Sequence, residues 1–429
     1  MRVPRPASER LMARQRHGIK PGFERLEDLL DRLGRPERDL QTVIVGGTNG
    51  KGSTAATLDA ILSAAGFSTG LFTSPHLEQP GERIRINGQP LSADAFEELA
   101  SRIEPHVDAA GATFFEAVTA MAFLAFNEAN VERVVLEVGM GGRLDATNLA
   151  PRDAVLITNV ALDHEAYLGP TVEHIAAEKA GLIRTPAPVF TTAQGVAREV
   201  IHAQAERVGA TVVTVPGCDA STAAATLEPQ DLMLSWRGGR LALRTPLLGA
   251  HQVGNVQLAA TAALHLGVPQ AAVQAGVAAT QWPGRMERLD AGGRLGQADW
   301  LLLDGAHNPA AAEALAAALA AFNGTIAWVA GFSSDKDVTS IAQALAPVCT
   351  SVYATAASGA PRSLDPQEAA TRLQNAGLRV DGAAGDVGEA VQQAAASHDG
   401  VLVAGSLFLV ADVRAWWFGR TPPGGLRLQ

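Results

Sequence analysis

The chain has 429 residues, more than one hydrophobic core usually serves, so two domains are expected. A formal net charge of -10 argues against the basic face that sequence-independent nucleic-acid binding requires, and no run of about 18 apolar residues offers a membrane span. The two cysteines, Cys218 and Cys349, match no metal-ligand spacing and read as buried small apolar residues in a reducing, cytoplasmic setting.

The first segment is basic, but no apolar stretch follows that could serve as a signal peptide, so residues 1 to about 17 are expected to form a loose solvated arm. QTVIVG (41–46) reads as a buried strand, followed by a glycine-rich loop and a helix, STAATLDAILSAAG, that stops at Gly66. Further strands are predicted at RVVLEV (133–138) and AVLITNV (154–160), with helices from Glu116 and from Thr171. LMLSW and RLALR alternate with period two across Gly238 and Gly239, which predicts an antiparallel hairpin beside the main sheet. A second series of strands, WLLLD (300–304), TIAWVAG, SVYATA and GVLVAG, alternates with helical segments, including the Ala-rich stretch 310–321. A boundary is expected around Pro283 to Leu289, which divides the chain into 1–287 and 288–429.

Of 34 basic residues only four are lysines, Lys20, Lys51, Lys179 and Lys336. Where arginine is the default cation, a retained lysine is a candidate for chemistry that a guanidinium cannot perform. One of the four stands in Gly47-Thr48-Asn49-Gly50-Lys51-Gly52-Ser53-Thr54, between a predicted strand and a helix. Glycines let backbone N–H groups approach phosphate oxygens, the helix N-terminus favours anions, Lys51 adds a point charge, and Ser53 or Thr54 can ligate Mg²⁺. The motif departs from the common G-x-x-x-x-G-K-[ST] form, because Val45 takes its first glycine position and Gly52 follows the lysine.

This variant resembles the phosphate loop of the Mur ligase superfamily and, within it, the folylpolyglutamate and dihydrofolate synthases. The resemblance runs through TSPHL (73–77), ERIRING (82–88), TFFE (113–116), LEVGMGGRLDATN, LDH (162–164), EKAG (178–181), HQVGN, WPGRMERLD, DGAHNP, SSDKD and GSLFLVADVR, in that order. It implies a P-loop parallel-sheet ATPase domain with a small antiparallel element, then a smaller C-terminal Rossmann-like α/β domain. The implied reaction adds L-glutamate to dihydropteroate or to a reduced folate, with ATP giving an acyl phosphate, ADP and then an amide. By the same resemblance, Thr48 to Thr54 hold the nucleotide's phosphates, and Asn255, Arg285, Asp304 and His307 embrace ATP across the interdomain cleft. Arg285 and His307 suit the polyphosphate; Asp304 and Asn255 suit the nucleoside.

Glu137, at the end of a predicted parallel strand, matches a family position that holds Mg²⁺, and Ser53, Ser74, His164 and Lys179 join it as implied metal-side residues. Taken alone, His164 reads as a hydrogen-bonded loop histidine. Lys51, His164 and Lys179 are the implied catalytic residues, and Lys179 matches a family lysine that is carbamylated. Arg83, Phe115, Asp145 and Lys336 are implied to bind substrate, with Phe115 and Asp145 facing the pterin; Phe115 also reads as core and Lys336 as an exposed ion pair. A monovalent cation is a further implied cofactor, and a monomer with small-molecule partners only is expected. Two rival readings fit less of the chain. A peptidoglycan Mur ligase expects a nucleotide-sugar domain before the loop, where 46 residues stand here. A nucleotide-dependent switch leaves the DGAHNP and WPGR segments without a task.

Overall fold

The computed structural model describes residues 5–14, 22–215 and 227–422. Its first sheet is built from β1 (Thr42–Gly46), β2 (Thr69–Phe72), β3 (Ile84–Ile86), β4 (Gln89–Pro90), β5 (Arg133–Glu137), β6 (Ala154–Ile157), β7 (Val189–Thr191) and β8 (Val212–Thr214). The strands lie in the order β4-β3-β2-β5-β1-β6-β7-β8, parallel from β2 to β8 and antiparallel at the β2-β3-β4 edge. Every residue of β1 is buried, as expected of a central strand covered by helices on both faces. Because β5 and β6 flank β1, their C-terminal ends bring Glu137 and the segment 158–164 beside the glycine loop. Ligands of open α/β sheets gather at such ends.

The helix Lys51–Ala64 follows the loop and ends where Gly66 adopts φ 91°. The predicted hairpin forms β9 (Gln230–Trp236) and β10 (Gly239–Thr245), antiparallel and in a sheet of its own. Leu234, Leu241 and Leu243 anchor it in the core that the helices Lys51–Ala64 and Ala250–His265 share with the first sheet. It flanks that sheet without joining it.

A second sheet contains β11 (Glu287–Asp290), β12 (Trp300–Leu303), β13 (Ile326–Ala330), β14 (Ser351–Ala354), β15 (Val380–Ala383) and β16 (Gly400–Ala404), in the order β11-β12-β16-β13-β14-β15. Only β11 runs antiparallel to its neighbour. Trp300 and Leu302 enter one core, Leu301 and Leu303 the other, the period-two consequence of helices on both faces. The last helix, Leu407–Trp417, reaches back to the first body. Arg414 Nε donates to Glu287 at 2.9 and 3.0 Å and its Nη1 to Glu78, which also accepts from Arg420 Nη2 at 2.9 Å.

The N-terminal expectation needs correction. Residues 7–13 are not a loose arm but a helix, Ala7–Ala13, with Ala7 and Leu11 buried in the main core. Its unpaired first amides are taken by the Glu97 carboxylate, at 2.6 Å from Ala7 N and 3.1 Å from Ser8 N. Cys349 is buried as expected, and burial pushes its thiol up to about 12, while Cys218 and Lys20 lie outside the described residues. Among the described residues no helix is long and apolar enough to cross a membrane.

Candidate active site

The loop after β1 is shaped by backbone conformations that side chains resist. Gly50 caps the helix Lys51–Ala64 with φ 83°, and a Cβ on it would stand 2.2 Å from Asn255 Oδ1. The loop is fastened to the segment after β6: Thr48 N donates to Asn159 O at 2.8 Å, Asn49 N to Asn159 Oδ1 at 2.8 Å, and Thr158 Oγ1 to Asn49 O at 2.7 Å. Lys51 Nζ donates to Thr48 O at 2.9 Å, which folds the ammonium back over the loop. Ser53 lines the cavity above. Thr54 does not; it is fully buried, and its hydroxyl has no hydrogen-bond partner. Of the two hydroxyls weighed for a metal, Ser53 is the one that can meet a ligand.

That cavity, about 520 Å³, lies between the two sheets. Its lining includes every residue that the resemblance implies for the site except Thr54. Lys51, Lys179 and Lys336, all three lysines among the described residues, line it.

Lys179 sits on the helix Val172–Ala180, capped by Thr171, and is 3% exposed. Its Nζ donates to Gly47 O at 2.8 Å, under the glycine loop. Burial, reinforced by the Lys51 ammonium, lowers its pKa to about 7. Glu137, at the end of β5, is also buried and accepts from Ser74 N at 2.9 Å. Burial raises its pKa against the opposing pull of Lys51. Ser53, Ser74 and Glu137 offer hard oxygen donors, which suits Mg²⁺, an ion that takes few protein ligands and keeps several waters. Among the described residues no group of three or more His, Cys, Asp or Glu forms a metal cage.

His164 adopts φ 52°, a strained backbone for a residue other than glycine, and its amide donates to Asp163 Oδ1 at 2.9 Å. Burial lowers its pKa despite Asp163, so the imidazole is neutral at pH 7. The sequence reading passed over Asp163 for the neighbouring histidine. In the fold Asp163 joins the two bodies: Oδ2 accepts from Asn308 Nδ2 at 3.0 Å, and Oδ1 lies 3.9 Å from Lys336 Nζ. Asn308 Nδ2 also reaches Asn49 Oδ1 at 3.2 Å, while its own Oδ1 caps the helix Pro309–Leu319. Lys336 does pair with its neighbour Asp335, at 3.9 Å, but it is only 11% exposed and stands on the cavity wall.

On the same wall, Asp304 accepts from Met286 N and Ala306 N, both at 2.8 Å, so each oxygen already holds one backbone donor. Arg285 Nη1 donates to Gly284 O at 3.1 Å. His307 departs from expectation. Burial, then Lys336, lowers its pKa to about 4, and its Nδ1 lies 2.7 Å from Gly305 O. A carbonyl only accepts, so Nδ1 carries the proton and Nε2 is left an acceptor. His307 therefore adds no positive charge to a polyphosphate clamp.

The far end of the cavity is apolar, with Phe23, Leu26, Phe114, Phe115, Leu144 and Leu168 on its walls. Phe115 packs on Phe72 with ring centroids 5.9 Å apart, so it belongs to the core and to the lining at once. Asp145 borders this slot, yet its carboxylate is already occupied: Oδ2 accepts from Gly139 N and Met140 N, and Oδ1 from Thr147 N and Thr147 Oγ1, all within 2.7–3.1 Å. Its first task is to shape the 139–147 loop. Arg83 is 4% exposed, donates through Nε to His76 Nδ1 at 3.0 Å and stacks on the Phe114 ring at 5.3 Å.

Comparison with known proteins accords with this geometry. Residues 45–264 match the Mur ligase middle domain and residues 284–407 the Mur ligase glutamate ligase domain. A dihydrofolate synthase/folylpolyglutamate synthase of Bacillus subtilis is 33% identical over 94% of this chain and 96% of that protein. A probable bifunctional folylpolyglutamate synthase/dihydropteroate synthase of Halobacterium salinarum is 39% identical over 96% of this chain, and this chain spans only 51% of its length. Among solved structures, a Mycobacterium tuberculosis folylpolyglutamate synthase complexed with ADP and AMPPCP superposes with a TM-score of 0.86 at 34% identity, over 97% of this chain and 99% of that one. A bifunctional folylpolyglutamate synthase/dihydrofolate synthase of Yersinia pestis, complexed with AMPPNP and Mn ion, superposes with a TM-score of 0.81 at 31% identity, over 97% and 100%. The chain belongs to the Mur ligase superfamily, in its dihydrofolate synthase/folylpolyglutamate synthase family.

Proposed function

We propose that the chain is an ATP-dependent carboxylate–amine ligase that adds L-glutamate to dihydropteroate and to reduced folates, acting as a monomer with ATP between the domains 1–287 and 288–429. One observation carries the reading. A single cavity is lined by the glycine loop, by apolar side chains that include Phe23 and Phe115, and by Arg285 and His307 from the two sides of the domain boundary. The GGRLDATN segment, on the slot side, supports dihydropteroate as an acceptor as well as folate.

In the first step an acceptor carboxylate oxygen attacks the γ-phosphorus and the bond to the ADP oxygen breaks. In the second, the glutamate amine attacks the acyl carbon, phosphate leaves, and the amine gives up one proton. The neutral imidazole of His164 is in the form that can take it. Lys51 and Arg285 stabilise the charge on the transferring phosphoryl group. Ser53, Ser74 and Glu137 would hold Mg²⁺, which supplies charge neutralisation on the phosphates. A monovalent cation would add to the same balance.

Lys179 carries the finer part of the proposal. Its pKa of about 7 gives it, at neutral pH, a large share of the free amine that carbon dioxide requires. The resulting carbamate is an anion beside Lys51 and His164, suited to a second divalent ion. The test is ADP release with and without dihydropteroate and glutamate, with products read by mass. Both substrates are expected to be needed, and a glutamylated product to form. Hydrolysis of ATP that ignores both substrates would instead indicate a switch.

A further inference from the structure

Of the six large apolar side chains left exposed among the described residues, Tyr167 at 64% is the most exposed, and it alone lines the main cavity. A lone apolar residue on a convex surface calls for no explanation. A bare ring on the wall of a ligand cavity is different, because it sheds its water only when a ligand covers it. Phe115, by contrast, packs on Phe72 and belongs to the core with or without a ligand. Tyr167 packs on no other ring among the described residues.

The glycines of the loop after β5 fix the level of this ring along the cavity. A Cβ on Gly139 would stand 2.5 Å from the Phe115 ring, one on Gly141 3.1 Å from Leu168 Cδ2, and one on Gly142 3.1 Å from Lys179 Cα. Successive Cα atoms are about 3.8 Å apart, so the loop runs from the apolar slot, past Leu168, to Lys179 in three such steps. Leu168 and Tyr167 are neighbours on the short helix Glu165–Leu168, and both amides fold back on His164 O, at 3.0 and 2.9 Å. Leu168 is buried against the loop, while Tyr167 stands beside it with its side chain open to the cavity. The exposed ring thus lies between Phe115 at the slot and Lys179 at the phosphate end.

We propose that Tyr167 is the platform for the flat ring in the middle of the acceptor, and that it favours acceptors whose reacting carboxylate is carried on an aromatic ring. The proposal rests on the ligase reading for the identity of the acceptor. Dihydropteroate is a pterin joined by a short link to a benzoate. With the pterin in the Phe115 slot and the carboxylate at the phosphate end, its benzene ring falls at the level of Tyr167. An offset stack there buries a face of each ring and keeps the carboxylate from swinging away from the phosphorus it attacks.

The test is ADP release by the full chain with ATP, Mg²⁺ and L-glutamate, using dihydropteroate and its analogue with a cyclohexane ring in place of the benzene ring. Tyr167→Ala should raise the Michaelis constant for dihydropteroate about tenfold and leave that for ATP within about twofold. An exposed side chain carries little of the fold, and an unchanged constant for ATP verifies that the site is intact. Tyr167→Phe, which keeps the ring, should stay within about twofold of the parent for both. The parent should prefer dihydropteroate to the saturated analogue, and Tyr167→Ala should lose that preference. An unchanged dihydropteroate constant in Tyr167→Ala, an equal rise for ATP, or a Tyr167→Phe chain as weak as Tyr167→Ala overturns the proposal. So does a ring preference that the parent lacks or that Tyr167→Ala keeps. A parent chain without dihydropteroate-dependent ADP release overturns the ligase reading, and this proposal with it.

Discussion

Lys179 Nζ and Gly47 O are 132 residues apart in sequence and 2.8 Å apart in space, so the helix Val172–Ala180 presents its lysine to the underside of the phosphate loop. Lys179→Arg should be nearly inactive, because a guanidinium stays charged and cannot take up carbon dioxide. Lys179→Ala should regain activity when a short carboxylate is added. An arginine variant with parental turnover and Mg²⁺ dependence would sink the carbamate.

The same lysine sets a pH dependence. Below about pH 7 the ammonium prevails and above it the amine, so ADP formation in carbon-dioxide-equilibrated buffer should rise through that point, and less in depleted buffer. Stability has the same sign. The folded chain sheds this proton near 7 while the unfolded chain keeps it to the ordinary value of 10.5, so the unfolded state binds more protons in between. Denaturation of carbon-dioxide-free protein should show stability from this group increasing with pH across that window.

Lys51→Ala should cut ligation at least a hundredfold and leave circular dichroism unchanged, since among the described residues its ammonium donates only to Thr48 O, in the half-exposed loop. Near-normal turnover would remove the phosphate-loop assignment. Gly50→Ala should be at least as damaging, because φ 83° and the nearby Asn255 amide leave no place for a methyl group.

Asp145→Ala is expected to raise the Michaelis constant for dihydropteroate more than that for ATP. It should also cost roughly 2 kcal/mol in denaturant unfolding, because three backbone amides lose their acceptor. Equal effects on both Michaelis constants would leave Asp145 a loop-shaping residue only.

Glu78→Ala should destabilise the chain by about 1 kcal/mol, since Arg414 loses one buried acceptor but keeps Glu287, and Arg420 is half exposed. The loss should change little in high salt, as buried pairs are poorly screened. A surface-like effect below about 0.5 kcal/mol would show that the pairing carries no stability.

The fold was most legible where period and punctuation agree. β1, the glycine loop and the following helix are marked by an apolar run, four glycines and a clean stop. The β3-β4 edge escaped notice because β3 is three residues long, too short for the alternation of Ile84, Arg85 and Ile86 to stand out. Helix Ala7–Ala13 escaped because basic composition hides the two small contacts, Ala7 and Leu11, that dock it. In the site, motif order located the lining residues, but not their states. His307 is matched to the polyphosphate by its motif, yet in place it is neutral, since burial is a property of the assembled fold. Asp163 and Asn308 acquire their roles only when residues 145 positions apart meet.

Scarcity of lysine has a practical side. Of four primary-amine side chains, three open into one cavity and the fourth is Lys20. Acylating reagents directed at amines will therefore report on cleft occupancy with almost no background, and Lys179, 3% exposed, will be shielded from them while the fold is closed. A lysine-specific protease faces the same geography: past residue 20, its cutting sites lie inside the cleft, so digestion becomes a clock for how often the two bodies part.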